Sequence, residues 1–436
     1  MGNTKTASKS QGKVPVIAKE LLIPFILITF CFALWGFAND ITNPLVKAFG
    51  TIFNQSAFIS SFVQFAFYGG YCFMAIPAAI FIKKYSYKSG ILLGLVLYAF
   101  GGMLFIPASL VGVFWPFCAA FFIMTCGLSF LETSANPYIL SMGDESTATQ
   151  RLNLAQSFNP MGSLIGIIVA RDFILAKINK LGAEERASLP LEEFDSIKMA
   201  DLAIVRGPYV AIGVIIAIMF LLIFIRKMPK AQDAAKTLDL SGTFKRLMAN
   251  LRYREGVIAQ AFYVGAQITV WTYTIHYGTE VLMGEGMLEG DAAAQAVSFN
   301  LYAMILFATS RFVCTYLLKY IQPGSLLMYL SIGAMLLLFP VVFAGGRIGL
   351  YALIGISGCM SLMFPTIYGI ALKGVGEDAK LGAAGLVMAI AGGSLMPPLQ
   401  GLVLDTYGVQ LSYLMPIICF VVIAIFGYRT YKIHNA

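Results

Sequence analysis

Residues 21–40 read LLIPFILITFCFALWGFAND, and everything before the closing Asn39 and Asp40 is apolar, small or able to bond its own backbone. A bilayer's hydrocarbon core, about 30 Å thick, is crossed by about 20 such residues coiled as an α-helix. A barrel strand would instead alternate apolar and polar side chains over about ten residues. The run therefore predicts a membrane-spanning helix, and that helix carries a carboxyl group, Asp40, to a depth where water is scarce. A second carboxyl group, Glu132, lies inside the apolar stretch 114–142. An ionised side chain at mid-bilayer costs about 2.5 to 3.5 kcal/mol on insertion scales, so such groups line cavities and serve pathways.

The rest of the chain repeats the pattern. Of 436 residues, 58% are hydrophobic and 12% charged, too little polar surface to cover a soluble globule of this size. Continuous apolar runs predict twelve helices over 21–48, 57–82, 90–109, 113–142, 152–178, 203–227, 255–283, 293–320, 325–343, 348–372, 380–404 and 411–430, an all-α membrane protein. Placing the N-terminus in the cytoplasm puts 21 of the 30 Lys and Arg residues on the cytoplasmic side and seven outside, so both termini are expected inside. Arg171 and Arg311 fall within predicted helices. The net charge of +8 is accounted for by this topology and calls for no nucleic-acid partner.

Several other readings are excluded or need no further role. Met1-Gly2 with Thr6 fits a myristoylation pattern, but a multi-helix protein gains nothing from an acyl anchor. The apolar run that follows is too long for a signal peptide. Asn54-Gln55-Ser56 is a formal glycosylation sequon in a short outer loop. The seven cysteines, all in predicted helices and without a CxxC pair, read as small apolar residues, and two histidines are too few for a metal centre. No GxSxG or HExxH motif supports an enzyme, and His276 stands alone.

The chain repeats itself faintly. Lys84-Tyr85 matches Lys319-Tyr320, Pro137 matches Pro365, and Gly162-Ser163-Leu164 matches Gly393-Ser394-Leu395, at offsets of 235, 228 and 231 residues. Such internal repeats build many transporters, with the substrate site between the halves near the midplane. The division expected is a cytoplasmic tail over 1–20, a six-helix half over 21–227, a cytoplasmic linker over 228–254 and a second six-helix half over 255–436.

Specific segments narrow the reading. Leu34-Trp35-Gly36-Phe37-Ala38-Asn39-Asp40, Phe130-Leu131-Glu132-Thr133-Ser134-Ala135-Asn136-Pro137 and the segment from Arg151 to Asn159 resemble the fucose-galactose-glucose:H+ symporter family of the major facilitator superfamily. Gly265-Ala266-Gln267, Trp271 and Phe364-Pro365-Thr366-Ile367 extend the resemblance over nearly the whole chain. The superfamily's loop signature after the second helix is degenerate here, lacking its Asp before Lys83-Lys84, as it is in that branch. The resemblance implies the major facilitator fold, a bacterial inner-membrane location, a monosaccharide substrate with L-fucose first among the hexoses, protons as the coupling ion and no other cofactor. It also assigns proton coupling to Asp40 and Glu132. A monomer is the expected oligomeric state.

The residues themselves suggest the same chemistry. A sugar offers a ring of hydroxyls and an apolar face, and its site needs amides or carboxylates together with an aromatic surface. Trp35, Asn39 and Asn43 share one face of the first helix at i, i+4 and i+8. Gln156, Asn159 and Ser163 share a face of the fifth, and Tyr263, Gln267, Trp271 and Thr274 a face of the seventh. Glu132 and Asn136 lie one turn apart on the fourth, and Asn300 and Arg311 are spaced to share a face of the eighth. Each polar group could instead be interhelical glue, worth about 0.6 kcal/mol on average; Tyr68 and Tyr71 read as packing. The structural alternative for the acids is an ion pair with Arg171 or Arg311. A water-poor site favours the neutral form of a carboxyl group, which suits a proton carrier. A sensor or a facilitator without proton coupling would share the fold.

Overall fold

The computed structural model describes residues 16–144, 148–229, 240–318, 320–375 and 378–432. Most of the expected tail (1–15), the middle of the linker (230–239), Lys319 of the repeat match and His434 lie outside them. Among the described residues eleven helices are long and apolar enough to cross a membrane: α1 Lys19–Phe53, α2 Ala57–Ile82, α3 Tyr87–Val111, α4 Phe114–Ser141, α5 Leu154–Leu175, α6 Leu191–Ile225, α8 Glu289–Leu317, α9 Pro323–Phe343, α10 Gly346–Leu372, α11 Leu381–Tyr407 and α12 Val409–Lys432. Between them runs α7, Leu251–Gly284, 34 residues long. Its polar content has a physical reason: Thr269, Thr272, Thr274, His276 and Thr279 are all buried in the protein, so the helix meets little lipid. The twelve helices fall where the apolar runs put them. The lipid side is supplied by side chains such as Leu336, Phe339 and Phe343, which stand exposed on α9.

The largest departure from the expected spans is at α6, which starts at Leu191, twelve residues before the predicted start at 203. Hydropathy stops where the charges begin, but the helix continues. Glu192 and Glu193 in its first turn suit the positive end of the helix dipole. Farther along, Asp201 is buried against Arg186 at 2.6 Å and also accepts the Asn179 backbone N–H, which folds the preceding outer segment onto the helix. Several starts follow local capping chemistry. Ser56, Ser86 and Asn250 each accept a backbone N–H from three residues on, at Ile59, Ser89 and Tyr253. Within α5 the last turn widens into a π-helix over Ala170–Leu175.

The internal repeat is visible as a repeated helix crossing. A Cβ added to Gly162 of α5 would run into the Ala33 carbonyl of α1, and one added to Gly392 of α11 would run into the Ala261 carbonyl of α7 in the same way. The offsets, 230 for the glycines and 228 for the alanines, agree with the sequence repeat. The partner of Gly162 is Gly392, one residue before the Gly393 that the sequence match aligned with it. Close approach of backbones through small residues is how membrane helices associate where lipid gives no hydrophobic drive.

Contacts between the first six helices and the last six run along α2 and α11, and on the side away from the termini, the outer side in the orientation expected from the basic residues, they include an ion pair and a helix cap. Lys47 near the end of α1 pairs with Glu289 at the start of α8 at 2.6 Å. The other oxygen of Glu289 accepts the Ala183 backbone N–H at 2.9 Å. Asp405 near the end of α11 caps the start of α2, accepting from Ala57 N and Phe58 N, both at 2.8 Å. Towards the termini, by contrast, Trp35, Asn39, Glu132, Asn136, Asn159 and Gln267 are only partly buried and Gln156 is exposed. These partly exposed side chains line a cavity on the termini side of the ion pair and the cap, which join the halves outside.

Candidate functional site

The floor of the cavity is formed where α1, α4 and α5 meet. The close α1–α5 crossing, which needs Gly36, Gly162 and Gly166, brings Asn159 against α1, where its amide donates to the Phe32 carbonyl at 3.2 Å. Gln156, one turn earlier, donates to Asn136 Oδ1 at 2.9 Å, and Asn136 donates to the Glu132 backbone carbonyl at 3.0 Å. Gln156 and Asn136 thus form a relay that ends on the Glu132 backbone carbonyl, while Asn159 is tied to α1, and none of the three bonds the Glu132 carboxyl group. One carboxylate oxygen, Oε2, is buried without a hydrogen-bond partner. Tyr71 and Tyr368 lie within electrostatic reach of it.

Asp40 is 4% exposed. Its Oδ1 accepts the Asn43 amide at 3.1 Å, and Ser163 of α5 is within hydrogen-bonding reach. Neither acid forms the ion pair considered above. Arg171 is paired with its neighbour Asp172 at 2.7 Å, and Arg311 donates to the Ser361 carbonyl at 3.2 Å while lying over the Phe307 ring. Two carboxyl groups in the membrane interior therefore stand without a cation among the described residues. Such groups are stable in low dielectric only when neutral or when water reaches them.

Trp35, on the cavity edge of α1, donates its indole N–H to Tyr71 Oη at 2.6 Å, and Tyr71 stacks with Tyr68 at 6.4 Å between centroids. Tyr68 and Tyr71 thus do more than fill space: one fixes the Trp35 ring plane, and the other lies where a Cβ on Gly393 of α11 would fall. Asn39 presents a buried, unpartnered Oδ1. On the opposite wall, Trp271 is anchored by Ser357 Oγ at 3.1 Å and meets Phe307 edge-on at 5.2 Å. Asn300 is buried and donates to the Trp271 carbonyl at 3.1 Å. Tyr263 donates to the Met360 carbonyl at 3.0 Å and Thr274 to the Val270 carbonyl at 2.6 Å. Of that α7 stripe, Gln267 alone keeps a half-exposed amide with no hydrogen bond to the described residues.

Residues not singled out in the sequence complete the picture: Ser357 behind Trp271, Phe307 beside it, and Gln64 of α2, fully buried between Asn43 and Thr272. Gln64 had a signal, a lone amide near the outer end of the apolar run 57–82, but its neighbours at helical spacing, Ser60, Ser61 and Tyr68, are ordinary in a membrane helix. Ser357 and Phe307 had none, because a serine or phenylalanine in a membrane helix is ordinary.

Comparisons with known proteins agree with this architecture. Residues 28–394 match the family described as Major Facilitator Superfamily. The L-fucose-proton symporter of Haemophilus influenzae is 49% identical over 430 residues, covering 96% of this chain and 99% of that protein. The L-fucose-proton symporter of Escherichia coli is 36% identical over 435 residues, covering 98% of each. The crystal structure of the transporter FucP in the outward conformation superposes with a TM-score of 0.70 at 36% identity, over 94% of this chain and 99% of that one. That structure is described as outward, whereas here the outer side is closed. Because the helix number, the repeated crossing and these matches agree along nearly the whole length, the chain belongs to the major facilitator superfamily.

Proposed function

We propose that this protein is a proton-coupled symporter that imports a monosaccharide, L-fucose first, by alternating access, and is not an enzyme. The observation that carries this reading is the pair of interior carboxyl groups, Asp40 and Glu132, held without a basic partner among the described residues beside a cavity rich in amides and aromatic rings. In this reading both take up a proton and give it up. The choice of L-fucose rests on the two relatives named as L-fucose-proton symporters.

In this reading the half-exposed amides of Asn39, Asn136, Asn159 and Gln267 and the exposed amide of Gln156 bond the sugar hydroxyls, and the Trp35 ring offers its apolar face. Asn43, Trp271 and Asn300 are more deeply buried; Trp271 shapes the far wall and Asn300 supports it. The sugar and a proton bind from outside, the units 21–227 and 255–436 rock about the site, and both ligands leave towards the cytoplasm. Each proton moving down a 100 mV potential releases about 2.3 kcal/mol, enough to concentrate a neutral sugar more than tenfold. The protein works as a monomer in the inner membrane, with the tail 1–20, the linker 228–254 and the C-terminus in the cytoplasm, as the basic residues favour.

Proteoliposomes test this directly. Adding L-fucose outside should alkalinise the external medium, and an inward proton gradient should drive labelled L-fucose above its external concentration. Sugar entry without proton movement would reduce the protein to a facilitator. Competition by D-galactose, D-glucose and N-acetylglucosamine ranks the hexoses, and a better competitor than L-fucose itself would replace it as the substrate.

A further inference from the structure

Gln64 is a fully buried amide in the outer third of α2, and its two N–H bonds point in different directions. One donates to Asn43 Oδ1 of α1 at 2.9 Å, within the same half. The other donates to Thr272 Oγ1 of α7 at 3.0 Å, across the interface between the halves. Asn43 in turn donates to Asp40 Oδ1 at 3.1 Å. Every link is buried, and each amide N–H is directed towards the next oxygen, so Thr272 of one half and Asp40 of the other belong to one chain of hydrogen bonds. Gln64 Oε1 has no partner among the described residues, so the amide is held there by its two N–H contacts.

The chain lies among the outer contacts between the halves, beneath the Lys47–Glu289 pair and the Asp405 cap. Opening the outer side must pull α7 from α2, and therefore must break the Gln64–Thr272 bond. Once that bond is gone, nothing described fixes the Gln64 amide on the far side of Asn43. Asn43 can then turn, and the donor on Asp40 is no longer held in place.

We propose that Gln64 is a positioning residue of the transport cycle, joining closure of the outer side to the hydrogen bond received by Asp40 through Asn43 and Thr272. This deepens the symport reading and rests on it. The mechanical half of the proposal, that the bridge holds the outer side shut, can be measured without any transport assay. Interhelical glue predicts that loss of the bond costs stability only; a positioning role predicts that it changes which side is open and that Asp40 shares the effect.

Spin labels on Asn54→Cys and Leu288→Cys, both exposed at outer ends of the two halves, would report the outer separation by double electron–electron resonance on the full chain in lipid nanodiscs. Thr272→Val removes the acceptor at constant shape, and loss of one such bond should shift the closed-to-open ratio about two- to tenfold towards open. Thr272→Ser keeps the oxygen and should restore the parent distribution. Asp40→Asn combined with Thr272→Val should depart from the sum of the single effects, because both act on one network. An unchanged distribution in Thr272→Val, or strict additivity with Asp40→Asn, overturns the proposal. Absence of proton-driven uptake by the unsubstituted protein would instead overturn the symport reading while leaving the distance result to stand.

Discussion

The two halves are packed by the same crossing yet carry different chemistry. In the first, Gly162 seats against Ala33, and the surrounding helices bring Asp40, Glu132, Asn136, Gln156 and Asn159 to the cavity. In the second, Gly392 seats against Ala261, but apart from Gln267 and Thr272 the polar side chains nearby are turned into the half itself. Asn300 holds the Trp271 carbonyl, Tyr263 the Met360 carbonyl and Arg311 the Ser361 carbonyl. What remains facing the first half is chiefly aromatic, Trp271 with Phe307 at its edge. One scaffold thus presents ionisable groups from one side and rings from the other. The difference does not lie in the amides, since Asn136 and Asn159 also reach backbone carbonyls of their own half; it lies in the two carboxyl groups of the first half.

That contrast breaks most sharply at Glu132. Glu132→Gln keeps the shape and removes the titratable proton, so accumulation driven by a proton gradient should fall to no accumulation at all, while sugar exchange between equal concentrations continues. Labelled-sugar uptake and counterflow in proteoliposomes measure both. Full accumulation by the variant would remove Glu132 from coupling. Packing comes next in size. Gly162→Ala and Gly392→Ala each force a methyl group against a backbone carbonyl, an overpacking cost of about 1 to 3 kcal/mol. If the crossings are equivalent, the two variants should lose similar amounts of thermal stability in detergent. Loss confined to one would show that only one half depends on its glycine.

Smaller effects separate the two walls. Gln156→Ala should raise the half-saturation concentration severalfold without lowering expression, since it removes a hydroxyl partner from the first half. Trp271→Phe loses the bond to Ser357, about 0.5 to 1.5 kcal/mol, and should weaken sugar binding about two- to tenfold with the proton-to-sugar ratio unchanged. A changed ratio in Trp271→Phe would give the second half a share in coupling.

Much of this arrangement was legible beforehand because membrane helices announce themselves by composition, and because Asp40 and Glu132 interrupt runs that otherwise contain no acid. The extent of α6 was not, since its first three turns lie beyond the apolar run and are stabilised by charge, with Asp201 finding Arg186 from another segment. Periodicity placed Asn300 and Arg311 on one face of α8, but it cannot say whether that face meets a cavity or a carbonyl. The structure gives both a carbonyl. Gln64 escaped for the complementary reason: its partners, Asn43 and Thr272, come from helices 21 and 208 residues away in sequence.

The smallest expected effect lies outside the membrane, where the comparison between halves extends to the linker. A short helix, Leu240–Ala249, precedes α7, and its Arg246 is paired with Asp378, between α10 and α11, through two bonds of 2.7 Å. The Arg246 hydrogen bond holds the Asp378 carboxyl below its ordinary value. A carboxyl group depressed in the folded state contributes attachment that is complete above the ordinary aspartate range and is lost as pH falls through the depressed value. Hydrogen–deuterium exchange over residues 240–249 should therefore be slow at neutral pH and, corrected for the intrinsic rate, become faster only under acid conditions. Asp378→Asn should show the faster exchange at every pH. Because the pair is exposed to water, salt should weaken the difference, and the whole effect should be small beside those at Glu132 and Gly162. Equal protection in the parent and in Asp378→Asn would mean that apolar contacts of Leu247 with Tyr253, Ala371 and Leu386 hold the linker helix without the ion pair.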